Sequence, residues 1–181
     1  MKAIMISIKP KWCAKIMNGE KTIEVRKNKA LASAIQKLIN ENGYADIYVY
    51  CTKDKETIAI SPYGAYAIIP NKYKNEYFNG KVLFKFRCYN VEEWDICCED
   101  LEDMLFFARL SIEEFDDYSK GQVAYAINID DLEIFNRPKE LSEFYAREPK
   151  GDLPLGKWKH GLLAMKELTK APQNFCYVEV E

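Results

Sequence analysis

The chain has 181 residues, of which 48% are hydrophobic and 30% charged, with a formal net charge of -2. That length suits one domain with enough apolar content for a core. No apolar run reaches the ~20 residues a membrane-spanning helix needs, and the N-terminus lacks a signal-peptide pattern, so a cytoplasmic protein with no membrane contact is expected.

The small net charge hides an asymmetry. Residues 1–30 hold eight Lys or Arg against Glu20 and Glu24, whereas residues 92–118 hold eleven Asp or Glu against Arg109 alone. A basic region attracts phosphates and an acidic one repels or shields them. Two solvated faces of opposite sign would read the same way. The six cysteines, at 13, 51, 88, 97, 98 and 176, match neither a zinc ribbon nor a redox pair. They read as reduced thiols packed as small hydrophobes. Cys97 and Cys98 have few soft partners, since His160 is the single histidine and reads as a surface residue. No metal site and no cofactor is expected.

In chain order, Lys2–Ile8 is rich in Ile and Met and reads as a buried strand. Pro10 suits the first turn of a helix, and Trp12, Cys13, Ile16 and Met17 follow on one stripe. Asn18-Gly19 stops it. A second strand runs from Thr22 to Lys27. Leu31, Ala34, Ile35, Leu38 and Ile39 predict a helix over Ala30–Asn42, ended by Gly43. Tyr44–Cys51 alternates, with Tyr48 and Tyr50 on its polar side. Residues 52–77 read as a long loop with a short strand near Ala65–Ile69. Lys81–Tyr89 is a strand with Val82, Phe84, Phe86 and Cys88 inward.

Met104–Phe107 predicts a short helix in the acidic segment, and Ser111-Ile112-Glu113-Glu114 reads as a capping box opening another that stops at Gly121. Val123–Ile129 is a strand, Pro138–Tyr145 a short helix, Glu148–Gly161 irregular, and Phe175–Val180 a last strand returning to the sheet. Short strands with interposed helices, and no regular βαβ alternation, predict an α+β fold: a small mixed β-barrel of five to six strands with helices on its rim.

The stretch around which these elements gather is Asn18–Lys27. Alternation places Thr22, Glu24 and Arg26 on one face of its strand and Ile23 and Val25 on the other. Gly19-x-Lys21-x-x-Glu24-x-Arg26 resembles the G-x-K-x-x-E-x-R signature of the ASCH domain, a branch of the PUA-like superfamily. The flanks agree with it: Ser7-Ile8-Lys9-Pro10-Lys11-Trp12, Ile47–Lys53, Arg137–Phe144, and Pro172 followed by Cys176-Tyr177-Val178. Together these look like the ASCH proteins of bacteriophages and mobile elements.

The resemblance implies a PUA-like barrel over residues 1–181, with a helical insertion near 30–42 and an acidic helical segment near 92–121. It implies a cleft between the first helix and the barrel that binds RNA or a modified nucleotide. Phage-type relatives often carry cysteines before the last strand, and Glu148–Lys170 has none. One ASCH-like branch is an amidohydrolase acting on acetylcytidine, with a Thr nucleophile three residues after its Lys. Glu24 stands there in this chain, and a carboxylate does not replace a hydroxyl without a change of chemistry.

The candidate ligand-binding residues are Lys21, Thr22, Glu24, Arg26, Trp12, Tyr48 and Tyr50. Lys21 suits phosphate or carbonyl recognition, or general-base work, or is a surface lysine. Glu24 can accept from an exocyclic amine while Arg26 holds phosphate, or the two form a structural ion pair. Trp12, Tyr48 and Tyr50 stack bases or simply pack. Lys9, Lys11, Lys85 and Arg87 are candidate contacts for a nucleic-acid backbone. If the chain is an enzyme, Lys21 and Glu24 are its acid/base pair. A third reading is an accessory protein that binds a host protein through the acidic face.

Overall fold

The structure, a computed structural model, describes residues 2–72, 77–147 and 165–179. The strands and helices of the first fifty residues follow the pattern of the sequence: β1 (Lys2–Ile8), α1 (Pro10–Met17), β2 (Ile23–Arg26), α2 (Lys29–Asn42) and β3 (Ala45–Cys51). Asn28 caps α2 by accepting from Leu31 N at 3.1 Å. Gly43 ends it at a φ of 85°, a left-handed conformation cheap only for glycine.

Within the expected long loop after β3 lies a hairpin: β4 (Glu56–Ile60), which the sequence does not signal, pairs with β5 (Tyr66–Pro70), the short strand expected near Ala65–Ile69. Then come β6 (Val82–Cys88), β7 (Val91–Trp94), α3 (Leu101–Ala108), α4 (Ile112–Ser119), β8 (Ala124–Asn128) and β9 (Asp130–Lys139). A 3-10 turn at Leu141–Glu143 leads to β10 (Tyr145–Arg147), β11 (Met165–Glu167) and β12 (Phe175–Glu179). The expected helix at Pro138–Tyr145 is therefore reduced to this one 3-10 turn, with the end of β9 before it and the start of β10 after it. Pro138 is tolerated because β9 is the edge of its sheet and needs no further N–H partner. Val180, His160 and the segment 148–161 read as irregular lie outside the described residues.

The mixed α+β class holds, but the pairings are not those of a small barrel of five to six strands. Among the described residues twelve strands form three sheets, in orders β11-β10-β12-β1-β3-β6-β9, β2-β8-β7 and β4-β5, and none of them closes on itself. β1 and β3 run parallel, and β12 returns antiparallel to β1.

β1 and β3 are buried on both faces, as strands inside a sheet covered on both sides are. Ile4, Ile6, Ile47 and Val49 face α1 and α2, where Cys13, Ile16, Leu31, Ile35 and Leu38 meet them. Ala3, Met5, Tyr48 and Tyr50 face Phe144 and Val178 on the other side. A register shift between Val82 and Phe84 turns Val82 to that second face, so it does not share the inward side expected with Phe84. A separate core forms where the small sheet packs on α3 and α4 through Val25, Trp94, Leu105, Phe115 and Ala126.

α4 is fixed by its capping box: Glu114 N donates to Ser111 Oγ and Ser111 N to Glu114 Oε2, each at 3.1 Å. Ser111→Ala is expected to lower unfolding free energy by about 1 kcal/mol, measured by urea denaturation.

Candidate functional site

A cavity of about 540 Å³ opens where the main sheet and α1 meet β2 and α4. Its floor is Lys21, Glu24 and Arg26. One rim is Ser7, Lys9, Trp12, Thr52 and Gln173; the other is Leu110, Glu114, Asp117 and Tyr118.

The floor is set up by the end of α1. Gly19 adopts a φ of 73°, and the amides of Glu20 and Lys21 both donate to Lys15 O, at 2.9 and 3.1 Å. This turn delivers Lys21 ahead of β2, which starts only at Ile23, so its side chain is not bound by the alternation of the strand. Lys21 is 3% exposed and Glu24 6% exposed. Lys21 Nζ donates to Ala108 O at 2.8 Å and lies 3.5 Å from Glu24 Oε2. Arg26 Nε lies 2.8 Å from Glu24 Oε1, although its N–H is not aimed at an acceptor; that contact is held by charge and proximity. Arg26 Nη2 donates to Ser7 O at 2.7 Å.

Burial lowers the pKa of Lys21, Glu24 pulls it back up, and Arg26 and Lys15 push it down again. Trp12 sits among three ammonium groups, with Lys11, Lys15 and Lys21 at 4.5, 5.1 and 5.1 Å from its ring. Across the cleft Tyr118 lies under Lys27 Nζ, 4.9 Å away. The aromatic walls therefore come from two helices, α1 and α4. Three cationic residues on the cleft, Lys9, Lys21 and Arg26, face three carboxylates, Glu24, Glu114 and Asp117.

Of the residues proposed from sequence, Lys9, Trp12, Lys21, Glu24 and Arg26 line this one cleft. Thr22 does not: it is exposed, and its backbone bonds to Phe107 O and Ile129 N instead. Tyr48 and Tyr50, 5% and 7% exposed, are packed in the core under Phe144, which takes the place of the polar side expected for them. Lys11 pairs with Glu114 at 3.9 Å, outside the cavity wall. Lys85 and Arg87 lie on the main sheet in ion pairs with Glu133 at 3.0 Å and with Asp131 at 3.3 Å. Those two are committed within the protein and do not extend the cleft.

Sequence reasoning missed the second rim. Glu114, Asp117 and Tyr118 stand at i, i+3 and i+4 on the helix opened by the capping box, and that spacing alone puts them on one face. Ser7, Thr52 and Gln173 carry no comparable signal, because they are joined only by the pairing of β1 with β3 and β12.

No family profile and no curated protein matches this sequence. Among solved structures it is similar to the ASCH protein of Zymomonas mobilis, at 21% identity over 77% of this chain and 73% of that one, with a TM-score of 0.48. A single-substitution variant of that protein gives 20% identity and a TM-score of 0.49. The N-terminal domain of McrB from Staphylothermus marinus gives 8% identity, a TM-score of 0.43 and 76% coverage of each chain. Likeness at this level carries no functional argument. Among the described residues no helix is long and apolar enough to cross a membrane, and no group of His, Cys, Asp and Glu could hold a metal ion.

Removing one member of a buried charge group strands the others. Glu24→Ala is expected to cost about 3–5 kcal/mol of stability, and the Lys21→Met/Glu24→Leu pair less than that, both read by chemical denaturation. The pKa of Lys21 in the folded protein lies below its ordinary 10.5, so the unfolded chain binds more protons in that window. The Lys21 contribution to stability accordingly rises with pH through the window up to 10.5. Denaturation of wild type and Lys21→Met across alkaline pH should show this rise in wild type alone.

Proposed function

We propose that this chain is an ASCH-type module that binds RNA or a modified nucleotide in the cleft between α1, β2 and α4. The observation that carries the reading is the convergence of the signature residues Lys21, Glu24 and Arg26 with Trp12 on a single open cavity. In this reading the whole chain is one such domain, α2 is its helical insertion, and α3 and α4 are an acidic addition. The phage and mobile-element affiliation and a cytoplasmic setting belong to the same proposal.

The chemistry of the cleft supports a single base-bearing unit better than a long anionic strand. Trp12 and Tyr118 offer faces for stacking. Lys9 stands at the α1 rim as a cation for phosphate, while Asp117 on α4 offers acceptor oxygens for amino or imino groups. Both oxygens of Glu24 already face cations of the protein, so its role is to hold Lys21 and Arg26 in place. Trp12→Ala is expected to weaken binding of single-stranded RNA or nucleotides by about 1–3 kcal/mol, roughly five- to 150-fold, with Arg26→Ala also weakening it. Fluorescence titration at low salt measures both. Absence of binding by RNA, nucleotides and nucleosides alike would sink the reading.

A second reading is favoured by one observation, the burial that lowers the Lys21 pKa. A lysine that burial makes easier to deprotonate, beside a carboxylate, suits general-base chemistry on a small amide, as in an amidohydrolase acting on acetylcytidine. Release of acetate from acetylcytidine by wild type, and its loss in Lys21→Met of retained fold, is the expected result. Intact substrate after prolonged incubation with wild type rules this reading out.

A further inference from the structure

We infer that the outward face of α3 is a docking surface for a basic, amphipathic segment of another protein. This inference is independent of what the cleft binds. α3 buries Leu101, Leu105 and Ala108 against the small sheet. Its opposite face leaves Phe106 61% and Phe107 51% exposed, with their rings 5.6 Å apart and nearly perpendicular. A phenylalanine has no polar tip to justify contact with water, and two adjacent ones form an anchor of the size that dominates binding sites.

The surroundings of the pair state the charge of the occupant. Glu102 and Asp103 stand four residues before Phe106 and Phe107 and so lie one turn away on the same face. Glu99 and Asp100 precede them, and α4 adds the exposed Glu113 and Asp116. The one cation within residues 92–118, Arg109, is already engaged. Its Nε donates to Glu20 O at 2.7 Å and its guanidinium lies 4.7 Å from the Phe106 ring. Six exposed carboxylates, Glu99, Asp100, Glu102, Asp103, Glu113 and Asp116, against one occupied guanidinium leave a field that repels phosphate and draws Lys and Arg.

That charge selects among occupants. A nucleic acid or an anionic membrane is repelled by it. A second copy using the same face would set one acidic surface against another. A helix or extended segment with apolar anchors on one side and Lys or Arg beside them satisfies both the aromatic pair and the carboxylates.

The test uses the full chain and a fluorescein-labelled amphipathic helical peptide of Leu and Lys, followed by anisotropy. Binding is expected to weaken with salt, and to weaken at least about tenfold in Phe106→Ser/Phe107→Ser. Circular dichroism checks that this variant folds. Glu102→Lys/Asp103→Lys is a second variant at exposed positions and is expected to weaken binding as well, so the inference stays testable should the first variant unfold. Oligolysine of equal charge binding as tightly as the amphipathic peptide would overturn it, as would unchanged affinity in both variants. Self-association in sedimentation that disappears in Phe106→Ser/Phe107→Ser would also overturn it, by making a second copy the occupant.

Discussion

The burial of Lys21 is the constraint on which the site depends. An ammonium removed from water has to be given a counter-charge and acceptors. Glu24 supplies the first and Ala108 O the second. To meet both, the end of α1, the start of β2 and the end of α3 must converge on one point. Neighbouring backbone bonds reinforce it: Thr22 N donates to Phe107 O, and Arg109 Nε to Glu20 O. These bonds fix α3 against the turn after α1 and the start of β2, and Arg26 Nη2, donating to Ser7 O at 2.7 Å, ties β2 of the small sheet to β1 of the main sheet. The cavity is the space left beside that junction.

The same junction sets the electrostatics of the cleft. A group of two cations and one carboxylate is net positive, yet Glu24 is enclosed between its partners and largely withdrawn from solvent. What a ligand meets is a rim with Lys9 on one side and a rim with Glu114 and Asp117 on the other. Coulomb attraction to a polyanion is weakened by that acidic rim, while hydrogen bonding to a ligand with both donors and acceptors is not. Aromatic surfaces on both helices add contact that is indifferent to charge. The cleft is thus suited to selection by shape and hydrogen bonding more than by net charge.

Much of this was legible in the sequence, for identifiable reasons. β1, α1, β2 and α2 are local: stripe, proline start and glycine stop lie within a few residues of one another. The capping box located the start of α4 to the residue. Glu24 and Arg26 shared a face because β2 is regular. Failures came where the partner is distant in sequence. Tyr48 and Tyr50 alternated like a polar face, but Phe144 covers them from nearly a hundred residues away. β9 was masked by Pro138, whose missing N–H costs nothing on a sheet edge. The hairpin of β4 and β5 is held in part by a remote side chain: Asn18 Nδ2 donates to Tyr66 O, and Tyr66 N to Asn18 Oδ1, both at 2.9 Å. No pattern within residues 56–70 announces that grip. Lys21 fell between these cases. Its strand parity pointed inward and its charge pointed outward, and the glycine turn resolves the conflict by freeing it from the strand.

α3 joins the two ends of this argument. Its apolar side is core, its last carbonyls hold Lys21 and Thr22, and its outer side carries the two exposed phenylalanines. Eight residues thus serve packing, site geometry and surface at once. Such a helix tolerates little substitution inward, because a shift of its C-terminal turn moves the acceptor of a buried ammonium. Outward it is constrained less: the Arg109 guanidinium, which holds Glu20 O, lies on the Phe106 ring. Stability accounts for Leu101, Leu105 and Ala108, the junction accounts for the carbonyls of Phe107 and Ala108, and the partner inferred above would give the exposed faces of both rings a further role.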